Sequence, residues 1–295
     1  MRVAFLFGSN LANYLEDLLY AGLVAHFGPI DYAPAKEHFS SVRPTKYPEA
    51  SCWTPNLPTA KHHADIVANL DSYDLIILGQ PITAGYAALF QEIVESHPKA
   101  VLVNGNDQPE FKIMEAVHPN GKWFVRELDP YTTIRNSHPL PLCFNAIDLP
   151  AITPWETRPI PVLWVGAGHF GRQPYIDAIK DVVPTNSIVT TQPIGRTEYL
   201  KLLSTAKYTL CCPGAGLQTY RFLETVAHGS VPISPYIPWW AASFNWIEYD
   251  SVDSLCQAMV KLSFDSAEIA QSNYDNLLHV DTHVARAQQF LAKAL

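Results

Sequence analysis

Arg221 and Glu224 stand one helical turn apart, just beyond the glycine-rich turn Pro213-Gly214-Ala215-Gly216. A turn of that composition at a helix start can present several main-chain N–H groups to one anion, with the helix dipole behind them. A guanidinium just inside the helix can pair with a phosphate. A carboxylate three residues on can accept two hydrogen bonds from a diol such as a ribose. The plain structural alternative is an ion pair on the helix surface, worth about 0.2–0.5 kcal/mol.

A second turn of the same kind runs from Gly166 to Gly171. Gly166, Gly168 and Gly171 spell a formal GxGxxG, directly after the apolar run Val162–Val165 and before a helical pattern. In that context the helix N-terminal amides point at an anion. A dinucleotide site also needs an acid at the end of the next strand, to hold ribose hydroxyls. Here the next run ends in Thr190, Thr191 and Gln192, and the nearest acid, Glu198, falls inside the following helix. A nucleotide-type turn is expected, and a nicotinamide site is not.

These turns sit among alternating strand and helix patterns. In the first half, VAFLF, DLIILG and AVLVNG read as buried strands, with helices over Leu11–Phe27 and within Ala87–Ser96. In the second half, VLWVG, SIVTTQ, YTLCC and VPISP read as strands, separated by three helical stretches, the last carrying Arg221. Such alternation implies parallel sheets with helices on both faces and functional loops at the strands' carboxyl ends. The proline-rich stretch His138–Pro161 reads as a linker, or as a last strand followed by one. The expected fold is therefore α/β, with two Rossmann-like parallel-sheet domains over residues 1–155 and 156–295. The final segment reads as a helical cap across one or both.

Composition narrows the function classes. The 295 residues are 48% hydrophobic and 16% charged, enough to build two cores, and the net charge of −8 argues against a strong general nucleic-acid binder. Five cysteines without a CxxC spacing suit a reducing compartment better than a disulfide framework. The opening MRVAFLFGSN is too short an apolar run for a secretory signal, and nothing approaches the ~18 apolar residues of a membrane span. A soluble, cytoplasmic protein is expected. His279 and His283 are spaced to share a helical face, but nearby sequence supplies no further ligands, so no metal site is expected.

The block YLKLLSTAKYTLCCPGAGLQTYRFLETVAHGSVPI, Tyr199 to Ile233, resembles the donor-binding region of GT-B glycosyltransferases, above all the exostosin-like group. The shared features are Tyr-x-x-x-Leu, then Pro-x-Gly, Arg-x-x-Glu and Gly-x-x-Pro. The stretch NYLEDLLYAGLVAHFGPIDYAP, Asn13 to Pro34, is similar to a run in small bacterial and viral GT-B proteins. The resemblance implies two Rossmann-like domains facing a cleft, with a nucleotide sugar bound mostly by the second. It gives Glu224 the ribose, and gives Arg221 and the amides of Gly214, Ala215 and Gly216 the pyrophosphate. Gly168 and Arg172 would lie near the phosphates or the sugar. Gly166, His169, Arg196 and, from the first domain, Gly8 are grouped with them. Many retaining members carry a second acid near the position that Gly216-Leu217 fills here, so inversion is expected.

An inverting transfer needs a base to take the acceptor's proton. Asp107, in VNGNDQPEF after the run Ala100–Gly105, is the leading candidate, and Asp17 on the first helix is the second. The alternative for Asp107 is a turn residue capping the next helix. With Arg and amides on the leaving diphosphate, no divalent metal is required. The expected donor is a UDP- or GDP-type sugar, with no tightly bound cofactor. The acceptor would be a small molecule, a glycan or a hydroxymethylated DNA base. The rivals are an NAD(P)-dependent oxidoreductase built on Gly166–Gly171 and a non-catalytic nucleotide-binding module.

Overall fold

The apolar runs form two parallel sheets. The computed structural model describes residues 1–295 apart from 47, 56, 82, 106–120, 127–135, 170, 215, 217, 236–242 and 263–265. The chain divides into unit 1, Met1–Ile147 with Thr282–Leu295, and unit 2, Asp148–Asp281.

In unit 1 the strands are β1 (Val3–Leu6), β2 (Asp31–Ala33), β3 (Leu75–Leu78), β4 (Ala100–Asn104), β5 (Lys122–Val125) and β6 (Ser137–Pro139). They pair in parallel in the order β2-β1-β3-β4-β5-β6. Every residue of β1, β3 and β4 is buried, as strands covered on both faces must be. β2 lies in the stretch Gly28–Pro58, which its prolines and aromatics mark as irregular. Three residues are too few to show an alternation.

The first helix begins at Tyr14 rather than Leu11. Asn13 is its N-cap and its side chain accepts from the amides of Leu15 and Glu16, which fixes the start. The last segment is not one helix. Helix Ala267–Asn276 passes into a π-helical turn, Leu277–Asp281, and Thr282 then caps a separate helix, His283–Ala294. That helix packs on Tyr14–Phe27, where any side chain at Gly22 would collide with the His283 carbonyl. The break leaves His279 in unit 2 and His283 in unit 1. His283 is buried, its Nδ1 accepts from the Ala146 amide, and burial pulls its pKa down to about 4.

In unit 2 the strands are β7 (Ile160–Val165), β8 (Ile188–Thr190), β9 (Ala206–Leu210), β10 (Val231–Pro235) and β11 (Ile247–Tyr249), paired in parallel as β11-β10-β9-β7-β8. Trp164, Tyr208, Leu210 and Ile233 anchor one core face and Leu163, Val165 and Leu203 the other. In each sheet the chain first winds one way and then the other. The reversal falls between β1 and β3 in unit 1 and between β7 and β9 in unit 2. Crevices at the carboxyl ends of strands on either side of such a reversal are where open α/β sheets bind ligands.

Candidate functional site

In unit 2 the two glycine-rich turns meet at that reversal, because β7 leads into the first and β9 into the second. Two arginines tie them together crosswise. Arg172, at the end of the first turn, donates from Nε to the Pro213 carbonyl of the second at 2.6 Å. Arg221, beyond the second turn, donates from Nη2 to the carbonyl of Val165, the last residue of β7, at 2.7 Å. A Cβ at Gly166 would lie 2.7 Å from Arg221 Nη2, so glycine there is what admits the guanidinium. At Gly214 the added carbon would meet Arg172 Nη2 at 3.1 Å.

Both guanidinium groups share one aromatic ring. Arg221 lies 4.3 Å and Arg172 5.8 Å from the centre of Trp164, a fully buried side chain at the end of β7. Burial lowers the Arg172 pKa, and the Arg221 charge lowers it further. Two cations close enough to disfavour one another set up a positive potential beside the two turns, which an anion of more than one charge could relieve.

Glu224 makes its described ion pair away from Arg221. It is 2% exposed, and its Oε1 accepts from Arg196 Nη1 at 3.0 Å. The other nitrogen, Arg196 Nη2, holds Asp148 Oδ2, also at 3.0 Å. So the surface pair offered by the spacing of Arg221 and Glu224 gives way to two anchorages, one on a β7 carbonyl and one on the preceding helix, Arg196–Thr205. His228, one turn beyond Glu224, is buried with its pKa pulled down to about 4, and its Nδ1–H donates to the Glu224 carbonyl at 2.8 Å.

Of the residues expected on the donor side, Gly166, Gly168, Arg172, Gly214, Gly216, Arg196, Arg221 and Glu224 lie in this one region of unit 2, with His169 exposed on its turn. Ala215 lies outside the described residues, as does Asp107. Gly8 lies in unit 1, where a Cβ would collide with the Gln80 carbonyl. It allows the segments leaving β1 and β3 to touch.

Asp17 is also in unit 1, with no exposed surface. It accepts from Lys36 Nζ at 2.6 Å, from His38 Nε2 at 2.8 Å and from the Asn13 amide at 2.9 Å. Burial works to raise its pKa, but Lys36 and His38 outweigh it and hold the carboxyl below its usual value. The neighbouring acid, which sequence reasoning passed over, is as buried but differently partnered. Glu16 lies at the β1/β3 reversal, packed against Gly79. Its Oε1 accepts from the Gln80 amide at 2.9 Å, and burial raises its pKa to about 7 against the opposing pull of Lys36. Leu15 to Leu23 are all buried, so two acids fall inside a stretch with no solvent face.

No protein-family model matches the chain, and no curated protein sequence matches it significantly. Solved structures do. A sucrose-phosphate synthase from Thermosynechococcus elongatus superposes with a TM-score of 0.61 at 11% identity, covering 99% of this chain and 98% of the other. HepE from Anabaena, in complex with UDP and glucose, gives 0.61 at 12% identity over 99% and 98%. The trehalose-6-phosphate synthase OtsA gives 0.60 at 8% identity over 100% and 99%. Two doubly wound parallel sheets matched along the whole chain define the GT-B fold. At such identities the likeness is one of fold, and a fold hosts many chemistries. Among the described residues no helix is long and apolar enough to cross a membrane, and no group of three or more His, Cys, Asp or Glu is placed to hold a metal ion.

Proposed function

We propose that the protein is a glycosyltransferase that moves a sugar from a nucleoside-diphosphate sugar to an acceptor hydroxyl. The observation that carries this reading is the convergence of Arg172 and Arg221 on the two glycine-rich turns at the β7/β9 reversal. A diphosphate there meets two guanidiniums beside the second glycine-rich turn. Glu224, fixed by Arg196, accepts from the ribose hydroxyls. As the bond from the anomeric carbon to the diphosphate breaks, charge grows on the leaving oxygen, and preset cations stabilise it without reorganising. Arg172 and Arg221 thus take the part that a divalent cation plays elsewhere, and the reaction is metal-independent. Inversion is favoured by Gly216-Leu217 standing where retaining relatives carry an acid. The resemblance of Tyr199–Ile233 to the exostosin-like group supports the same donor class. UDP, bound in the Anabaena HepE structure, is the first nucleotide to test.

The test is calorimetric titration of UDP and GDP into the protein in excess chelator. Binding of at least one nucleotide is expected, with Arg221→Ala weakening it tenfold or more. Binding that appears only with added magnesium or manganese, or that ignores Arg221, would overturn the reading.

A further inference from the structure

Two helices of unit 2 hold each other through two pairs of side chains. Arg221 and Glu224 are one turn apart on helix Tyr220–Ala227, and Arg196 and Tyr199 are one turn apart on helix Arg196–Thr205. Arg196 takes Glu224, as described. Tyr199 takes Arg221: the guanidinium carbon lies 5.6 Å from the centre of the Tyr199 ring, within reach of the attraction between a cation and an aromatic face. Tyr199 is itself buried, and the Arg221 charge opposes the rise in pKa that burial gives its hydroxyl. Trp164 carries the same guanidinium at 4.3 Å. Trp164 belongs to the core on one face of the sheet and Tyr199 to the core on the other. Arg221 therefore caps the end of β7 between one aromatic ring from each layer, with the Val165 carbonyl and Gly166 beneath it. It still keeps some exposed surface.

We propose that Tyr199 is a positioning residue of the donor site, whose ring, together with that of Trp164, clamps the Arg221 guanidinium where it meets a diphosphate. The inference rests on the glycosyltransferase reading and adds which element sets the site. Helix Arg196–Thr205 fixes Glu224 through Arg196 and Arg221 through Tyr199, so one helix places both donor-side groups. A clamp is needed because Arg172 and Arg221 disfavour one another. An unrestrained guanidinium would relieve that repulsion by turning away into water. Two aromatic faces and the Val165 carbonyl oppose the movement, which keeps the repulsion for an anion to relieve. A cation fixed in advance stabilises growing charge without reorganising.

The test is a double-mutant cycle read by calorimetric titration of UDP, or of GDP if that is the nucleotide native protein binds. It uses native protein, Tyr199→Leu, Tyr199→Phe, Arg221→Ala and the double variant Tyr199→Leu/Arg221→Ala. Phenylalanine keeps the ring, so Tyr199→Phe should bind within twofold of native. Leucine removes it, and Tyr199→Leu should weaken binding about fivefold, as loss of a partly desolvated cation–π contact implies. In the Arg221→Ala background the same substitution should matter less than twofold, because no guanidinium is left to hold. A ring that only supports the fold would act equally in both backgrounds. Equal losses with and without Arg221, native affinity in Tyr199→Leu, or a loss in Tyr199→Phe as large as that in Tyr199→Leu would each show the clamp to be wrong while the donor site stands. If native protein binds neither nucleotide, the glycosyltransferase reading falls first, and the clamp falls with it. Urea unfolding of each variant checks that it is folded. If Tyr199→Leu is not, Tyr199→Met takes its place in the cycle with the same expected losses.

Discussion

Arg196 holds Glu224 and Asp148 at the same distance, 3.0 Å from each of its two terminal nitrogens. The three side chains are at most 10% exposed, so this is a buried triad of one cation between two anions. On the proposed function, its net negative charge suits Glu224 to accept from ribose hydroxyls, and the fork of Arg196 fixes which way the carboxylate faces. Replacing Glu224 by Ala should weaken UDP binding by about 30- to 150-fold, the loss of charge-assisted hydrogen bonds worth ~2–3 kcal/mol. Titration calorimetry reads this directly. An affinity within twofold of native would leave Glu224 a structural partner of Arg196 and nothing more.

Arg221 should not tolerate lysine. Its guanidinium lies over Trp164 and donates to the Val165 carbonyl at the same time. A lysine ammonium keeps the charge but cannot lie flat on the ring and bridge both neighbours. Arg221→Lys should therefore lose about tenfold in UDP affinity, roughly 1.4 kcal/mol. Native-like affinity in Arg221→Lys would show that charge alone, and not the planar fork, does the binding.

Asp17 carries stability. Its removal strands Lys36, whose side chain has no exposed surface, without its counter-ion. Breaking a buried pair at one end costs about 3–5 kcal/mol, because the remaining charge stays desolvated. Asp17→Asn should show that loss in urea unfolding at pH 7, with the midpoint falling and the slope unchanged. The native contribution also has a pH signature. The folded carboxyl titrates below its usual value, so it stabilises fully above that value, and the stabilisation is lost as pH falls through the lowered pKa. A loss under 1 kcal/mol in Asp17→Asn would mean that water reaches Lys36.

Much of this was legible in the residues, for identifiable reasons. Strands buried on both faces, such as LIIL and VLWV, announce themselves because continuous apolar runs bounded by glycine have few other homes. Glycine-rich turns after strands are legible too, because close backbone approach demands that residue type, as Gly166 against Arg221 illustrates. Partnerships across the sheet were not legible. Arg221 and Glu224 look paired because they are three apart, yet each is anchored on an element more than 25 positions away, at Val165 and at Arg196. Helix ends set by one side chain escape in the same way: the Asn13 cap moves the start of the first helix, and Thr282 divides the last segment. Glu16 escaped because spacing says nothing about desolvation, which is what separates it from Asp17.

That separation can be measured without any substrate. Burial raises the folded pKa of Glu16 to about 7 from an ordinary 4.5. Between those two values the unfolded chain has released the proton and the folded one has kept it. The folded state then binds more protons, so stability falls as pH rises through that window and levels off above pH 7. The whole fall is on the order of 3 kcal/mol, because it equals the free energy of ionising the group in its buried site rather than in water. Glu16→Gln stays neutral throughout and lacks this fall, while every other titrating group is common to both proteins. The stability of the variant relative to native should therefore rise between pH 5 and pH 8 by up to that amount. Urea unfolding of the two proteins at pH 5, 6, 7 and 8 gives the difference directly. A difference that stays flat across the four values would mean that Glu16 ionises as it does in water, and its burial at the β1/β3 reversal would then place no proton there at neutral pH.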